Sequence, residues 1–201
     1  KDKYDNYLGT QSDIGCFSLS VAKLISTGQG GFAVTNNSDL ADRLRSVRTH
    51  GVENIQDPKV WPMPGFNFRF TDIQASIGIE QLRRVPNRID HLHKLYIKYR
   101  KELNHSSFQI IPVDIESGEI PLYNEYLVND RDNWVTKLLA DGIETRPFYP
   151  SINAASYLKQ RRYEAYPNSI RYENNGIYLP SGPDQPLDNV RLSIESIMKN
   201  L

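Results

Sequence analysis

Two alternating patterns along the 201 residues predict a mixed α/β fold. Short stretches rich in Ile, Val, Phe and Tyr are typical of β-strands, and longer stretches repeat apolar residues at helical spacing. Beyond residue 104 both kinds of stretch become shorter, which indicates a compact α+β module with helices packed on a small sheet. We therefore place a domain boundary near residue 100, between domains 1–100 and 101–201.

The first predicted elements are two strands and a helix. Apolar and aromatic residues over 14–19 and 32–35 predict buried strands, and the segment 27–31 between them is a glycine-rich turn. A helical pattern follows over 39–49, with Ser38 as its candidate N-cap.

A long irregular segment and a long helix come next. Residues 52–70 hold several prolines and too many aromatic residues for a simple linker, so they predict an ordered loop. Long ordered loops are often functional. Thr71 and Gln74 match a capping box, so a helix is expected to begin there and to continue to about residue 103. Pro86 is expected to kink or restart this helix, since proline lacks an N–H donor.

The small module is predicted from shorter patterns. Asp130 is the candidate N-cap of a helix that ends before Gly142. Strands are predicted over 108–113, 122–128, 143–146 and 177–179. Helices are predicted over 130–141, 154–160, 168–174 and 187–199.

Composition and charge exclude several classes of protein. The 24 basic residues equal the 24 acidic ones, so we expect no binding of a nucleic-acid polymer. No apolar run approaches the roughly 18 residues of a membrane span, so no membrane segment is expected. The single cysteine, Cys16, excludes an internal disulfide framework and favours a reducing compartment, the cytoplasm. The sequence does not begin with methionine, and we expect it to start within a longer chain.

Lys23 is the first candidate for covalent chemistry. It follows a predicted strand and precedes the glycine turn, and a desolvated lysine amine is a good nucleophile for carbonyl groups. A solvated lysine at the end of a strand is the alternative, since most lysines are exposed. Gly28, Gly30 and Gly31 also have two interpretations, an anion-binding turn or a hairpin turn that needs positive φ.

The histidines predict no metal site. His50 lies at the end of a predicted helix, where a donor or a cation is favoured, and His91 and His93 do not share a helix face. Together with His105 and Cys16 they form no metal-ligand spacing. We therefore expect no bound metal.

Two further segments combine aromatic, polar and cationic side chains. Asn67 and Arg69 lie among the phenylalanines of the long loop, where they either hydrogen-bond within the loop or face a ligand. Arg146 and Tyr149 lie in a rigid proline-containing segment, which is either the wall of a ligand site or an ordered loop. All four residues are candidates for ligand binding.

Several segments, taken in chain order, share their motifs with a known family. They are GCFSLSVAK (15–23), TGQGGFAVT (27–35), LRSVRTHG (44–51), GFNFRFTDIQA (65–75), GIETRPFYP (142–150) and LPSG (179–182). Together they resemble the DegT/DnrJ/EryC1/StrS family of pyridoxal-phosphate (PLP) sugar aminotransferases. The last two segments are similar to the perosamine-synthase-like branch of that family.

The resemblance implies a fold and a position within it. Family members have fold type I of the PLP transferases, like aspartate aminotransferase. Residues 1–100 would correspond to the end of the large PLP-binding domain, and residues 101–201 to the small C-terminal α+β domain. In the family most of the large domain precedes the lysine segment, so this chain is expected to lack the acid that pairs with the pyridine nitrogen and the aromatic ring that stacks on the cofactor.

The resemblance also implies roles for individual residues. Lys23 would form the Schiff base with PLP, and Ser18 would contact the PLP phosphate. Asn67 would reach the phosphate of the cofactor in the neighbouring subunit, so the active sites would be shared within a homodimer. Substrate contacts are implied for His50, Arg69, Arg146 and Tyr149.

The implied reaction is transamination of a keto-sugar nucleotide in polysaccharide biosynthesis, with glutamate as the amino donor. PLP would supply the electron sink, and Lys23 would move the proton as general base and acid. Two alternatives stay open: a non-catalytic binding or assembly module with the same fold, and a PLP-dependent sugar dehydratase. A sister branch of dehydratases carries histidine at the lysine position, so Lys23 favours transamination.

Overall fold

The computed structural model describes residues 2, 4–57, 59–158 and 165–201. It has the mixed α/β composition that the sequence predicts. By its contacts the chain divides into two compact units, residues 1–85 (unit 1) and 86–201 (unit 2). The domain boundary near residue 100 stays a prediction.

Unit 1 begins with a β-hairpin. Strand β1 (Gly15–Ser18) pairs antiparallel with β2 (Gly31–Val34), and the rings of Phe17 and Phe32 stack with centroids 4.9 Å apart. Both strands lie where the sequence predicts them. The prediction of burial is wrong for β2, all of which is exposed, whereas β1 is partly buried. In the described part of the chain this sheet has two strands and no third strand flanks it.

Helix α1 (Ser38–Arg48) follows the hairpin, and its N-cap is Asn37. The Asn37 side chain accepts hydrogen bonds from the backbone N–H groups of Asp39 (2.9 Å) and Leu40 (3.1 Å). The predicted cap, Ser38, is instead the first helical residue. Asparagine and serine cap helices about equally well, so the sequence could not decide between these neighbours.

Helix α2 (Asp72–Glu102) begins at the predicted capping box. The Thr71 hydroxyl accepts from the backbone N–H of Gln74 (3.2 Å), and the Thr71 N–H donates to Gln74 Oε1 (3.0 Å). The helix continues through Pro86, so the predicted restart at that residue is wrong. Proline removes one helical hydrogen bond, and a helix this long retains the others.

Unit 2 contains a four-stranded antiparallel sheet in the order β3-β4-β6-β5. The strands are β3 (Phe108–Ile110), β4 (Asn124–Val128), β5 (Arg146–Pro147) and β6 (Gly176–Leu179). Strand β5 begins at the last residue of the predicted strand 143–146. The reason is that Gly142 adopts φ 79° and the Ile143 N–H donates to the Leu138 carbonyl (2.8 Å), which caps the preceding helix.

Three helices accompany this sheet, and they are α3 (Arg131–Ala140), α4 (Pro167–Asn175) and α5 (Leu187–Asn200). Asp130 is the N-cap residue of α3 as predicted, but it adopts φ 52° and its side chain makes no capping hydrogen bond. In place of the start of the predicted helix 154–160 there is a 3-10 turn, Ile152–Ala154. Residues 159 and 160 lie outside the described residues.

The core of unit 2 lies between α2, the sheet and α5. Burial raises the pKa of Tyr99 to about 12, and its hydroxyl donates to the Pro180 carbonyl (3.2 Å). The ring of Trp134 packs edge-on against Phe108, with centroids 4.8 Å apart. Other buried side chains are Leu92, Leu95, Tyr96, Tyr126, Leu138, Ile177, Val190 and Ile197. None of the helices described is both long and apolar enough to cross a bilayer.

Candidate functional site

Lys23 is an exposed residue of the loop 20–26, which lies between β1 and β2. The loop is closed at its base, where the Thr27 N–H donates to the Leu19 carbonyl and the Leu19 N–H donates to the Gly30 carbonyl, both at 2.9 Å. Within the described residues the Lys23 side chain makes no hydrogen bond or ion pair. Its amine is therefore accessible to an aldehyde.

Two hydroxyl groups lie beside each other at the start of this loop. Ser18, at the end of β1, donates from Oγ to Ser20 Oγ (3.3 Å) and accepts from the Ser20 N–H (3.3 Å). Hydroxyl groups and N–H groups are the donors that phosphate oxygens accept from. An unpaired lysine amine and two hydroxyl groups at the start of the same loop are chemical groups that suit a cofactor with both an aldehyde and a phosphate.

The glycine-rich segment after the loop is a tight turn. Gly28 and Gly30 adopt φ 81° and 131°, a region that favours glycine. A Cβ on Gly30 would lie 2.6 Å from the Phe70 ring. The turn interpretation of these glycines therefore explains them without an anion.

His50 lies where two backbone segments cross. It adopts φ 59°, and its N–H donates to the Phe66 carbonyl (2.9 Å). A Cβ on Gly51 would lie 1.9 Å from the Met63 carbonyl oxygen, and one on Gly65 would lie 1.9 Å from the Gly51 nitrogen. The histidine-glycine pair thus makes a turn that brings the long loop against the end of α1.

This crossing positions Asn67 and Arg69. The Phe66 and Phe68 N–H groups donate to the last carbonyls of α1, and Asn67 forms a β-bridge with Thr49. Arg69 Nε donates to Asn67 Oδ1 (2.9 Å), so the two polar residues hydrogen-bond within the loop. The rings of Phe66 and Phe68 stack at 4.8 Å and are 55% and 69% exposed.

Arg146 and Tyr149 meet in unit 2. Arg146 Nη2 donates to the Tyr149 hydroxyl (2.7 Å), and the guanidinium lies 4.9 Å from the Tyr149 ring and 5.5 Å from the Tyr178 ring. Glu125 is the cross-strand partner of Tyr178, which in turn pairs with Arg146. Burial raises the pKa of Glu125, and burial followed by the charge of Glu125 raises the pKa of Tyr178. The contacts with Tyr149 and Tyr178 hold the exposed, planar guanidinium group of Arg146 in place.

A pocket of about 500 Å³ adjoins Arg146. The loop after α3, the end of β6 and one face of α5 line it, and Thr145 Oγ1 is buried there without a hydrogen-bond partner among the described residues. Its polar lining includes Tyr123, Glu144, Ser181, Gln185 and Asn189.

Comparison with known proteins assigns the chain to a family. Residues 2–198 match the model of the DegT/DnrJ/EryC1/StrS aminotransferase family. The chain belongs to this family. The expected resemblance is confirmed, and so is the type of fold.

Two curated relatives of this family member differ in activity. It is 31% identical over 200 residues to the GDP-perosamine synthase of Escherichia coli O157:H7, covering 95% of this chain and 52% of that protein. It is 28% identical over 175 residues to the GDP-4-keto-6-deoxy-D-mannose 3-dehydratase of Yersinia pseudotuberculosis, covering 76% of this chain and 43% of that protein. The chain spans about half the length of the curated relatives it matches.

A solved structure agrees with this assignment. The crystal structure of the sugar aminotransferase CalS13 from Micromonospora echinospora is 26% identical and superposes with a TM-score of 0.82. The superposition covers 96% of this chain and 54% of that chain. Both the sequence and the backbone of this family member are therefore similar to about half of longer proteins.

The predicted site residues of this family member fall into three groups. Ser18 lies at the start of the Lys23 loop, and His50, Asn67 and Arg69 lie at the backbone crossing; both groups are in unit 1. Arg146 and Tyr149 form the third group, in unit 2. In the described part of the chain no group of three or more His, Cys, Asp or Glu side chains is placed to hold a metal ion.

Sequence reasoning missed three residues that support these groups. Tyr178 stacks under Arg146, Thr27 closes the Lys23 loop, and Gln74 donates from Nε2 to the Gln29 carbonyl (2.9 Å). The capping box singled out Gln74 only as the start of a helix. Its contact with residue 29 joins distant parts of the sequence, and no local pattern predicts such a contact.

Proposed function

We propose that this chain is the C-terminal part of a PLP-dependent nucleotide-sugar aminotransferase. The observation that carries the proposal is the unpaired Lys23 side chain, on a closed loop that begins at the Ser18 and Ser20 hydroxyls. The family match and the names of its curated relatives support the same function. The proposed role is in polysaccharide biosynthesis in the cytoplasm.

In this proposal Lys23 has two tasks. Its amine would hold the cofactor covalently, and it would then move a proton at the amino-bearing carbon as general base and acid. Bound PLP supplies the electron sink for this chemistry. The accessibility of the amine and the closed base of its loop support both tasks, because the side chain can move while the backbone is held.

Ser18 and Asn67 would bind phosphate. The Ser18 hydroxyl would donate to the phosphate of the cofactor held by Lys23. Asn67 would donate to the cofactor phosphate of a neighbouring subunit in a homodimer. The exposed and stacked Phe66 and Phe68 support a subunit contact here, since exposed aromatic clusters often mark interfaces.

Arg146 and Tyr149 would bind the anionic substrates. Glutamate carries carboxylates and a keto-sugar nucleotide carries phosphates, and a planar guanidinium pairs with either in a two-pronged geometry. The contacts with Tyr149 and Tyr178 support this role by orienting Arg146 before a ligand arrives. His50 and Arg69 are also proposed to contact substrate.

Sugar dehydration is a second candidate function. The 28% identity to a GDP-4-keto-6-deoxy-D-mannose 3-dehydratase favours it. Against it stands Lys23, because amino-group transfer uses a lysine amine that first holds the cofactor and, once the amino donor has displaced it, moves the proton. The dehydratase branch that the resemblance identifies carries histidine at this position. We therefore favour transamination.

Absorbance spectroscopy with PLP tests the lysine assignment. The wild-type protein should develop an absorption band near the visible edge, and Lys23→Ala should not. Lys59→Ala is the matched control, since Lys59 is an exposed lysine of the same unit. Identical spectra for wild type and Lys23→Ala would refute the assignment.

The products separate the two candidate reactions. In the full-length protein, glutamate and a keto-sugar nucleotide should together yield 2-oxoglutarate and an aminated sugar nucleotide. A deoxygenated sugar without amination would establish dehydration instead.

A further inference from the structure

We propose that Gln74 is a positioning residue for Lys23, because it fastens the Lys23 loop to the first turn of α2. The proposal rests on the proposed function in one respect, namely that Lys23 is the reactive amine. Everything else in it follows from contacts within unit 1.

Thr27 is the point where the loop is closed. It is 4% exposed, and its backbone N–H donates to the Leu19 carbonyl (2.9 Å). Its hydroxyl donates to the Gln29 carbonyl (2.8 Å), which ties the closed loop to the glycine turn that follows. The backbone of the Lys23 loop therefore depends on the position of Gln29.

Gln74 holds Gln29 from the helix. Its Oε1 accepts from the Thr71 N–H (3.0 Å) in the capping box, and its Nε2 donates to the Gln29 carbonyl (2.9 Å). The same carbonyl thus accepts from Thr27 and from Gln74. The two ends of one amide join the start of α2 to the base of the Lys23 loop.

The packing around this link leaves little room for an alternative arrangement. A Cβ on Gly30 would lie 2.6 Å from the Phe70 ring, and a Cβ on Gly78 would lie 3.2 Å from the Thr27 methyl group. Two glycines therefore let the turn approach α2 closely enough for the Gln74 side chain to reach it. We infer that the helix sets the position from which the Lys23 amine acts.

Gln74→Glu separates this role from helix capping. Glutamate keeps the acceptor that the capping box needs, but its carboxylate has no donor for the Gln29 carbonyl. Thr71→Ala is the matched control, because it weakens the capping box and leaves the Gln74 donor in place.

Hydrogen exchange measures the link without cofactor. At neutral pH, Gln74→Glu should raise the rate of amide hydrogen exchange over residues 19–30 about tenfold. The substitution removes a hydrogen bond and leaves the new carboxylate facing the Gln29 carbonyl, so that two acceptors face each other. The difference should shrink as the pH approaches the carboxyl pKa, about 4.3 for a free glutamate, because the protonated acid can donate again. Thr71→Ala should affect mainly the first turn of α2.

Reduction with borohydride in the presence of PLP measures the consequence for Lys23. The yield of modified Lys23, relative to the exposed Lys59, should fall several-fold in Gln74→Glu and remain near the wild-type value in Thr71→Ala.

The possible failures are distinguishable. If wild-type Lys23 is modified no more than Lys59, the proposed function of Lys23 is wrong, whatever the exchange data show. If Lys23 is modified selectively and Gln74→Glu matches wild type in both exchange and yield, the positioning role is overturned. Equal loss of protection in Gln74→Glu and Thr71→Ala would also overturn it, since capping alone would then explain the effect.

Discussion

The two units are stabilised in different ways. In unit 2 the sheet and its helices enclose a core of large apolar side chains, with Tyr99 and Ile177 at 0% exposure. Among the described residues of unit 1, one large apolar side chain, Val52, is buried. Unit 1 instead relies on backbone hydrogen bonds, a capping box and glycines at close crossings.

The difference indicates where further protein surface is needed. Exposed apolar patches often mark interaction surfaces, and unit 1 also carries the proposed cofactor residues. Its exposed large side chains include Val21, Phe32, Trp61, Phe66, Phe68, Ile73, Ile77, Ile79 and Leu82. We interpret unit 1 as the part whose packing is completed by surfaces other than its own, and unit 2 as the part that supplies its own core.

The largest expected effect on the free energy of unfolding comes from replacing an isoleucine of unit 2, and an isoleucine of unit 1 provides the comparison. Ile177→Ala removes a side chain that is 0% exposed and should lower the free energy of unfolding by about 2–5 kcal/mol. Ile73→Ala removes one that is 76% exposed and should change it by less than about 0.5 kcal/mol. Urea unfolding followed by circular dichroism measures both. A large loss of unfolding free energy in Ile73→Ala would mean that the Ile73 side chain is buried against other protein surface in solution.

A pair of glycine substitutions tests the backbone crossing. Gly51 and Gly118 both have positive φ, so alanine strains both, but only the Gly51 Cβ would collide with backbone, at Met63. Gly51→Ala should therefore cost about 1–3 kcal/mol more than Gly118→Ala. Thermal unfolding gives the total cost, and exchange at the His50 and Phe66 amides locates it. Equal costs would show that the crossing is not tightly packed.

The pH dependence of unit 2 should reflect Asp141. The hydrogen bond from Ser196, followed by that from Lys199, holds the pKa of this carboxyl below its ordinary value of 3.8. Its contribution to stability is thus present above the ordinary pKa and is lost as the pH falls through the lower folded-state pKa. Asp141→Asn should lower the Tm at pH 6 and flatten its acid dependence.

An exposed carboxylate in unit 1 provides the control for that experiment. Asp42 makes one exposed ion pair with Arg45 (2.6 Å), and pairs of this kind contribute little. Asp42→Asn should leave the Tm nearly unchanged. A larger effect from Asp42→Asn than from Asp141→Asn would contradict the comparison between the units.

The smallest effect is expected at Glu125. Burial raises the pKa of this half-buried carboxyl, so the folded state disfavours its ionised form. The resulting cost appears as the pH rises past about 4.5, the ordinary value for glutamate. Glu125→Gln should therefore be slightly more stable than wild type at pH 8, by at most about 0.5 kcal/mol, and equal to it near pH 4. A loss of stability at pH 8 would show that the carboxylate has a favourable partner.

Local patterns predicted most of the elements. The capping box at Thr71, the helix α5 and the strands around the glycine turn depend on residues within a few positions of one another, and the structure has them. Local patterns could not decide which of two neighbouring residues caps a helix, or where a helix cap ends and a strand begins. Asn37 caps α1 in place of Ser38, and the cap of α3 takes Ile143 out of the predicted strand.

In the candidate site, too, some residues could be predicted from the sequence and others could not. The sequence, through its resemblance to a family, pointed to Lys23, Ser18 and Asn67, and their roles remain predictions. It did not reveal that Tyr178 supports Arg146 or that Gln74 holds the turn after the Lys23 loop. Those contacts link residues far apart in the chain.

The sequence by itself determined the family, the order of the elements and the candidate lysine, because each depends on the identity and local spacing of residues. Tertiary structure alone decided that β2 is exposed, that two backbones cross at Gly51 and Gly65, and that α2 contacts the glycine turn after the Lys23 loop. The physical reason is that burial and close approach depend on which distant segments meet. The two-residue repeat of a strand and the 3.6-residue repeat of a helix do not show which distant segments meet.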